Sequence, residues 1–285
     1  MLNILYRTLP GRLLLKPLTS PVFSQIGGFL LNTRLSACMV GPFVRKYKIC
    51  MDDYEKREYN SFNDFFCRKI FPEKRRIAQD GEALVSPCDG RLTCYPIAEN
   101  SHFKIKHVVY TLEGLLKNKR LAECYRGGIL LVFRLTVDNY HHFCYIADGR
   151  RTKNVRIPGV LHTVRPVATG KVPVYAENAR QYSLLKTENF GVVLMMEVGA
   201  MLVGRIVNLH GPAEVRKGQE KGYFEFGGST VILCFQRGTL TVNDRIWADS
   251  RAGRETPVRM GERIGTGSPC QPHRRQEKFQ GDIHK

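Results

Sequence analysis

The rhythm of apolar and polar positions changes twice along this chain. Over residues 1–51, leucine, phenylalanine, isoleucine and valine come in short clusters broken by Pro10, Pro17 and Pro21. That pattern predicts short amphipathic helices rather than one long helix. Residues 52–82 are mixed and charged. There Ser61 followed by Asp64 makes a capping-box pattern over Phe62, Phe65 and Phe66, predicting a short helix before the break at Phe71-Pro72, with Arg75 and Arg76 in a basic loop beyond. From about residue 83 the rhythm becomes that of strands and tight turns. Leu84-Val85 runs into the turn at Asp89-Gly90, and Ile129 to Leu135 is a continuous apolar strand. Pro158 to Val164 reads as a turn followed by a strand that carries His162. Val192 to Val198 and Met201 to Val207 read as a hairpin about Gly199-Ala200. Thr111 to Arg120 has the spacing of one short amphipathic helix.

The segment from Lys217 to Phe235 holds the most suggestive pattern. Tyr223 to Phe226 alternates aromatic and polar, and Val231 to Phe235 is apolar throughout. Between them lies Gly227-Gly228-Ser229-Thr230, a serine on a glycine pivot between two strands. Glycines permit backbone conformations closed to other residues. A bent backbone would let the Ser229 hydroxyl attack the carbonyl before it, given a base. Alone, the four residues read more simply as an ordinary tight turn entering a strand.

The pattern predicts an α+β protein that is predominantly β. Residues 1–60 form a basic helical region, and residues 61–285 form a barrel- or sandwich-like catalytic domain. The formal charge is +18, and residues 1–51 contain no acidic residue at all. Such an arm suits an anionic membrane surface. No apolar run reaches the roughly 18 residues of a membrane span. No nucleic-acid motif, Walker loop, GxGxxG or HExxH is present, and the nine cysteines form no CxxC pair, which points to a reducing setting and away from a metal site.

Candidate bases are His141 and His142 after the Ile129–Leu135 strand, and His162, since imidazole titrates near neutral pH. Asp89, in the Asp-Gly pair, reads on its own as a turn residue.

Several motifs together resemble the phosphatidylserine decarboxylase family. They are Val85 to Gly90, Tyr140-His141 with Asp148-Gly149, Gly159 to Val164, Glu177 to Arg180, Val198 to Ala200 with Val203-Gly204, Lys217 to Phe235, and Glu255-Thr256 with Met260 to Glu262. They occur in family order from about Phe62 to Gly265. The resemblance implies a self-processing proenzyme. Ser229 would attack the Gly228 carbonyl, leaving a β chain of residues 1–228 and an α chain of residues 229–285 that starts with a pyruvoyl group. That group would form a Schiff base with phosphatidylserine and release CO2 to give phosphatidylethanolamine, with no metal or diffusible cofactor. Asp89 matches the family's charge-relay aspartate and His141 the motif histidine. Cys144 stands where the better-known pattern has a second histidine, so the base is ordered His141, then His162, then His142, whose side chain should point away from that of His141 on a strand. The implied setting is peripheral, on the cytoplasmic face of a membrane, as a homodimer or an oligomer of αβ heterodimers. Two other readings fit parts of the chain: a non-catalytic basic β-domain binding anionic lipid or nucleic acid, and a serine hydrolase. The hydrolase lacks the G-x-S-x-G elbow.

Overall fold

A computed structural model describes residues 5–6, 8–55, 58–105, 107–201, 205–227 and 229–267. Its centre is set by the most apolar segments of the chain. Ile129–Leu135, Val192–Val198 and Ser229–Phe235 are buried along almost their whole length. Strands apolar on both faces belong in the interior of a sheet covered on both sides. Ser229–Phe235 lies between the other two and antiparallel to both, with Ser229 opposite Leu135 and Thr230 opposite Arg134 and Val198. Outward, the sheet adds Gly90–Pro96 and Thr256–Val258 on one side. On the other it adds Arg180–Lys186, which pairs with both Gly149–Arg151 and Val155–Ile157, and then Ala213–Val215. The fold is α+β and strand-rich, but this nine-stranded sheet is open and closes into no barrel.

A three-stranded sheet of His142–Cys144, Glu220–Phe224 and Ile206–Asn208 is joined to the large one through charge. Lys221 Nζ lies 2.7 Å from Glu197 Oε1, both side chains wholly buried, and Asn208 bonds to each. Gly222 makes the small sheet possible, because a Cβ there would strike the Val207 carbonyl and the Phe143 ring. The chain passes from the small sheet to the large one through Gly227, whose φ of +141° suits glycine.

Three expectations need correction. Val192–Val198 makes no hairpin about Gly199-Ala200. The Gly199 amide donates to Ala179 and the Met201 amide to His162, so the chain is led away, and Ile206–Asn208 joins the small sheet. Residues 202–204 lie outside the described set. Pro158 to Val164 forms no strand beyond one bridge from Val160 to Asn178. There the Asn178 side chain bonds the backbone N–H and C=O of His162, replacing ladder partners. The helix expected over Thr111–Arg120 is two helices, Leu112–Leu116 and Lys119–Glu123. Lys117 breaks them with a left-handed φ of 52°, and the Asn118 side chain caps the second.

In the N-terminal region, Leu9–Leu18 and Pro21–Leu31 are helices, with Thr8 and Ser20 capping their first turns. Pro10 and Pro21 stand at first-turn positions, where a missing N–H costs nothing. Leu5, Tyr6 and Leu15 are buried in the main core. Ser61 caps the helix Phe62–Phe66, and the three phenylalanines of that helix form a second cluster with Phe43 and Phe226. No helix among the described residues is long and apolar enough to cross a membrane.

Candidate active site

The site begins at the first residue of the central strand. Ser229 is fully buried, and its Oγ has no hydrogen-bond partner; the same is true of Thr230 Oγ1 on the opposite face. Buried hydroxyls are normally bonded, so two adjacent orphans mark a place built for something other than stability. Gly228 lies outside the described residues.

His141 follows the turn that leaves the neighbouring strand at Leu135. Its Nδ1 is 2.9 Å from the Asn139 carbonyl, which can only accept. The proton is therefore on Nδ1, and Nε2 carries a lone pair. That Nε2 is buried and unpartnered. Burial pushes the His141 imidazole down to about 3, so the ring is neutral. Two features hold it beside the glycine pivot. The Phe224 amide donates to the His141 carbonyl at 3.0 Å. Phe66 also touches both the His141 ring, at 4.2 Å between centroids, and Phe226, at 5.0 Å.

The other candidates stand in other roles. His142 is saturated: Nδ1 lies 2.6 Å from Glu220, Nε2 donates to the Cys67 carbonyl, and the ring is stacked between Tyr140 and Tyr223. Burial raises the Glu220 carboxyl, but the bond to His142 together with the charges of His142, Lys69 and His210 outweighs it and leaves the group below its ordinary value. Cys144 is buried, with its thiol pushed up to about 12 by burial, so it stays protonated and packs. Asp89 accepts both arms of Arg75, at 2.8 and 2.5 Å, and the Met260 amide at 2.9 Å. The group that sets the His141 tautomer is thus the Asn139 carbonyl, while Asp89 anchors the Arg75 loop and the Met260 turn. His162 sits on the far side of the serine strand, with Nδ1 3.1 Å from the Tyr6 hydroxyl and Nε2 3.4 Å from Glu177. It reaches the serine strand only indirectly. Asn178 bridges the carbonyls of His162 and Gly199, and Gly199 lies one step beyond the Val198–Thr230 pair, level with Ser229.

Sequence reasoning missed Phe66, Asn139, Arg75 and Thr230 as parts of the site. The first three touch it through contacts distant in sequence or through a backbone carbonyl, which no side-chain motif announces. Thr230 was legible as part of Gly-Ser-Thr, but not as an unpartnered buried hydroxyl.

A buried, unpartnered hydroxyl and a neutral histidine with a free lone pair are the equipment of an enzyme. Comparison with known proteins gives its kind: the family model for phosphatidylserine decarboxylase matches residues 62–266, and the chain belongs to that family. It is 46% identical over 265 residues to phosphatidylserine decarboxylase proenzyme 2 of Clostridium acetobutylicum, covering 93% of this chain and 91% of the relative. It is 41% identical over 249 residues to a phosphatidylserine decarboxylase proenzyme of Clostridium botulinum, covering 86% and 84%. It is 40% identical over 271 residues to that of Ruminiclostridium cellulolyticum, covering 93% and 90%. The enzyme is a decarboxylase, a carboxy-lyase, and the non-catalytic and serine-hydrolase readings give way to it.

Proposed function

We propose that this chain cleaves itself before Ser229 and then converts phosphatidylserine to phosphatidylethanolamine at a membrane surface. The observation that carries this reading is that Ser229 Oγ, at the first residue of the central strand, and His141 Nε2 are both buried and both without a hydrogen-bond partner. His141 Nε2 takes the hydroxyl proton, and Oγ bonds to the Gly228 carbonyl carbon. The amide C–N bond breaks and the nitrogen of Ser229 takes the proton from His141, leaving an ester and a free amine. Loss of the Ser229 Cα proton then breaks the Cβ–Oγ bond and frees residues 1–228 as a carboxylate. Water displaces ammonia from the remaining end, and residues 229–285 begin with a pyruvoyl group. Its precursor fits the site, because nothing bonds the hydroxyl that must react.

The pyruvoyl carbonyl supplies an electron sink for loss of CO2 from an amino acid. His141, neutral and shielded by Phe66, holds a lone pair at Nε2 that takes a proton from the substrate's ammonium group and delivers it to the carbon that has lost CO2. Asp89 acts at a distance. The Pro87 carbonyl in its segment accepts from the Cys144 amide, three residues beyond His141, and so helps to seat the strand.

Membrane attachment is supported by the N-terminal helices. Val22, Ile26, Phe29 and Leu30 are exposed along one face of Pro21–Leu31, Phe29 at 73%, and Leu13 and Leu14 are exposed on the helix before it. An acid-free, basic arm with such a face suits peripheral binding to an anionic leaflet, which on the cytoplasmic side attracts basic segments.

Intact mass of the purified chain tests the reading. The expected result is two chains split between Gly228 and Ser229, the smaller lacking ammonia relative to a serine terminus. His141→Ala stays whole, while His162→Ala and Cys144→Ala are cut. A native chain that stays whole and inactive overturns the proposal.

A further inference from the structure

A cavity of about 820 Å³, lined by neither Ser229 nor His141, lies between the helix Leu9–Leu18 and the segments around His162 and Glu177. This is the size of a small-molecule site. Three lysines line it, Lys16, Lys117 and Lys171, and among the described residues none of them forms an ion pair. Its one carboxylate is Glu177, which faces His162. The Thr163 amide donates to the Tyr6 hydroxyl, which is left to donate to His162 Nδ1, so Nε2 carries the proton and the ring adds no charge.

A second observation points the same way. Arg180 is 3% exposed and has no carboxylate partner among the described residues. Its guanidinium donates only to the carbonyls of Gly114, Leu115 and Asn178, which flank the cavity segments holding Lys117 and Glu177. Burial alone lowers it to about 10, and it remains charged at neutral pH. A buried positive charge without a counter-ion draws an anion to the nearest open surface. Lys117 supplies a third observation. It holds a left-handed turn where glycine is the easier residue, and its side chain lines the cavity. The apolar wall of Leu15, Val160 and Val172 leads outward to Leu13 and Leu14, exposed on the same helix.

We propose that this cavity binds the phosphodiester of an anionic phospholipid, holding the substrate's headgroup beside the Asn178–Gly199 link to Ser229. Positive charge selects the phosphate, and the apolar wall takes the proximal chain. This rests on the decarboxylase reading, but it is measured without turnover. The full-length Ser229→Ala chain is titrated with dihexanoyl phosphatidylserine, dihexanoyl phosphatidylcholine and inorganic phosphate. Phosphatidylserine is expected to bind at least about tenfold more tightly than the zwitterionic lipid. Lys117→Gly in that background is expected to weaken it about tenfold, the scale of one charged hydrogen bond. The same change should not lower the melting temperature, since glycine suits the turn. Unchanged affinity in Lys117→Gly combined with Lys171→Gln overturns the proposal, and so does inorganic phosphate that binds as tightly as the lipid. The two readings separate in the native enzyme. Normal turnover with an unchanged KM in the double variant sinks the cavity alone. Absence of ethanolamine lipid product from the native chain, with lysine-dependent binding intact, sinks the decarboxylase reading alone.

Discussion

The ring of Phe66 lies 4.2 Å from that of His141, centroid to centroid, and so a residue of the N-terminal aromatic cluster forms one wall of the proposed catalytic site. The same ring packs edge-on against Phe226, two residues before the proposed scissile bond. The helix that displays Phe66 is thus a working part of the site.

Phe66→Ala should cost about 3–5 kcal/mol, as for other fully buried aromatics. Phe66→Leu keeps most of the apolar volume and is the sharper test. Its chain should fold but process itself several-fold more slowly, because water reaches His141 Nε2. The acid limb of the processing rate should move upward in pH, toward the ordinary histidine value. A rate that follows stability alone, with no shift in the limb, counts against this role.

Ser229→Ala should abolish cleavage and leave stability within about 1 kcal/mol of the uncut parent, or above it. The Ser229 hydroxyl makes no hydrogen bond, so its removal relieves a desolvated group instead of breaking a contact. Urea unfolding of the uncut chain measures this. A loss of several kcal/mol would mean that the hydroxyl has a partner in solution.

Acid should destabilise the folded chain through His141. Its folded value is depressed to about 3, below the unfolded value near 6.5. Between these the unfolded chain holds a proton that the folded chain refuses, so stability is full above pH ~6.5 and falls with pH by at most roughly 1.4 kcal/mol per unit. Comparing Ser229→Ala with Ser229→Ala/His141→Gln isolates the contribution. The glutamine variant should lose this part of the slope, and parallel curves would refute the assignment.

The Lys221–Glu197 pair predicts strong coupling. Lys221→Met alone strands a buried carboxylate and should cost roughly 3–5 kcal/mol. Lys221→Met with Glu197→Leu removes both charges and should cost far less than the sum of the singles. Additive losses in a denaturation cycle would show that the two groups do not interact.

The sequence was most informative where local pattern and burial agree. Residues 231–235 and 129–133 are apolar throughout and lie within buried strands, and Ser61 caps its helix through neighbours three residues away. It was least informative where long-range partners took over the backbone. Asn178 claims the hydrogen bonds of the His162 segment, and Ala179 claims the Gly199 amide that a hairpin would need.

The sequence alone therefore determined the family and the strand-rich character, because these reside in local runs and in an ordered set of motifs. Tertiary structure decided the sheet's openness and the company each histidine keeps. His142 is saturated by Glu220 and Cys67, His162 is held by Tyr6 and Glu177, and His141 alone of the three is left with a bare, buried nitrogen. Hydrogen-bond saturation and desolvation depend on groups far apart in the chain, 156 residues for Tyr6 and His162, and only folding brings those groups together.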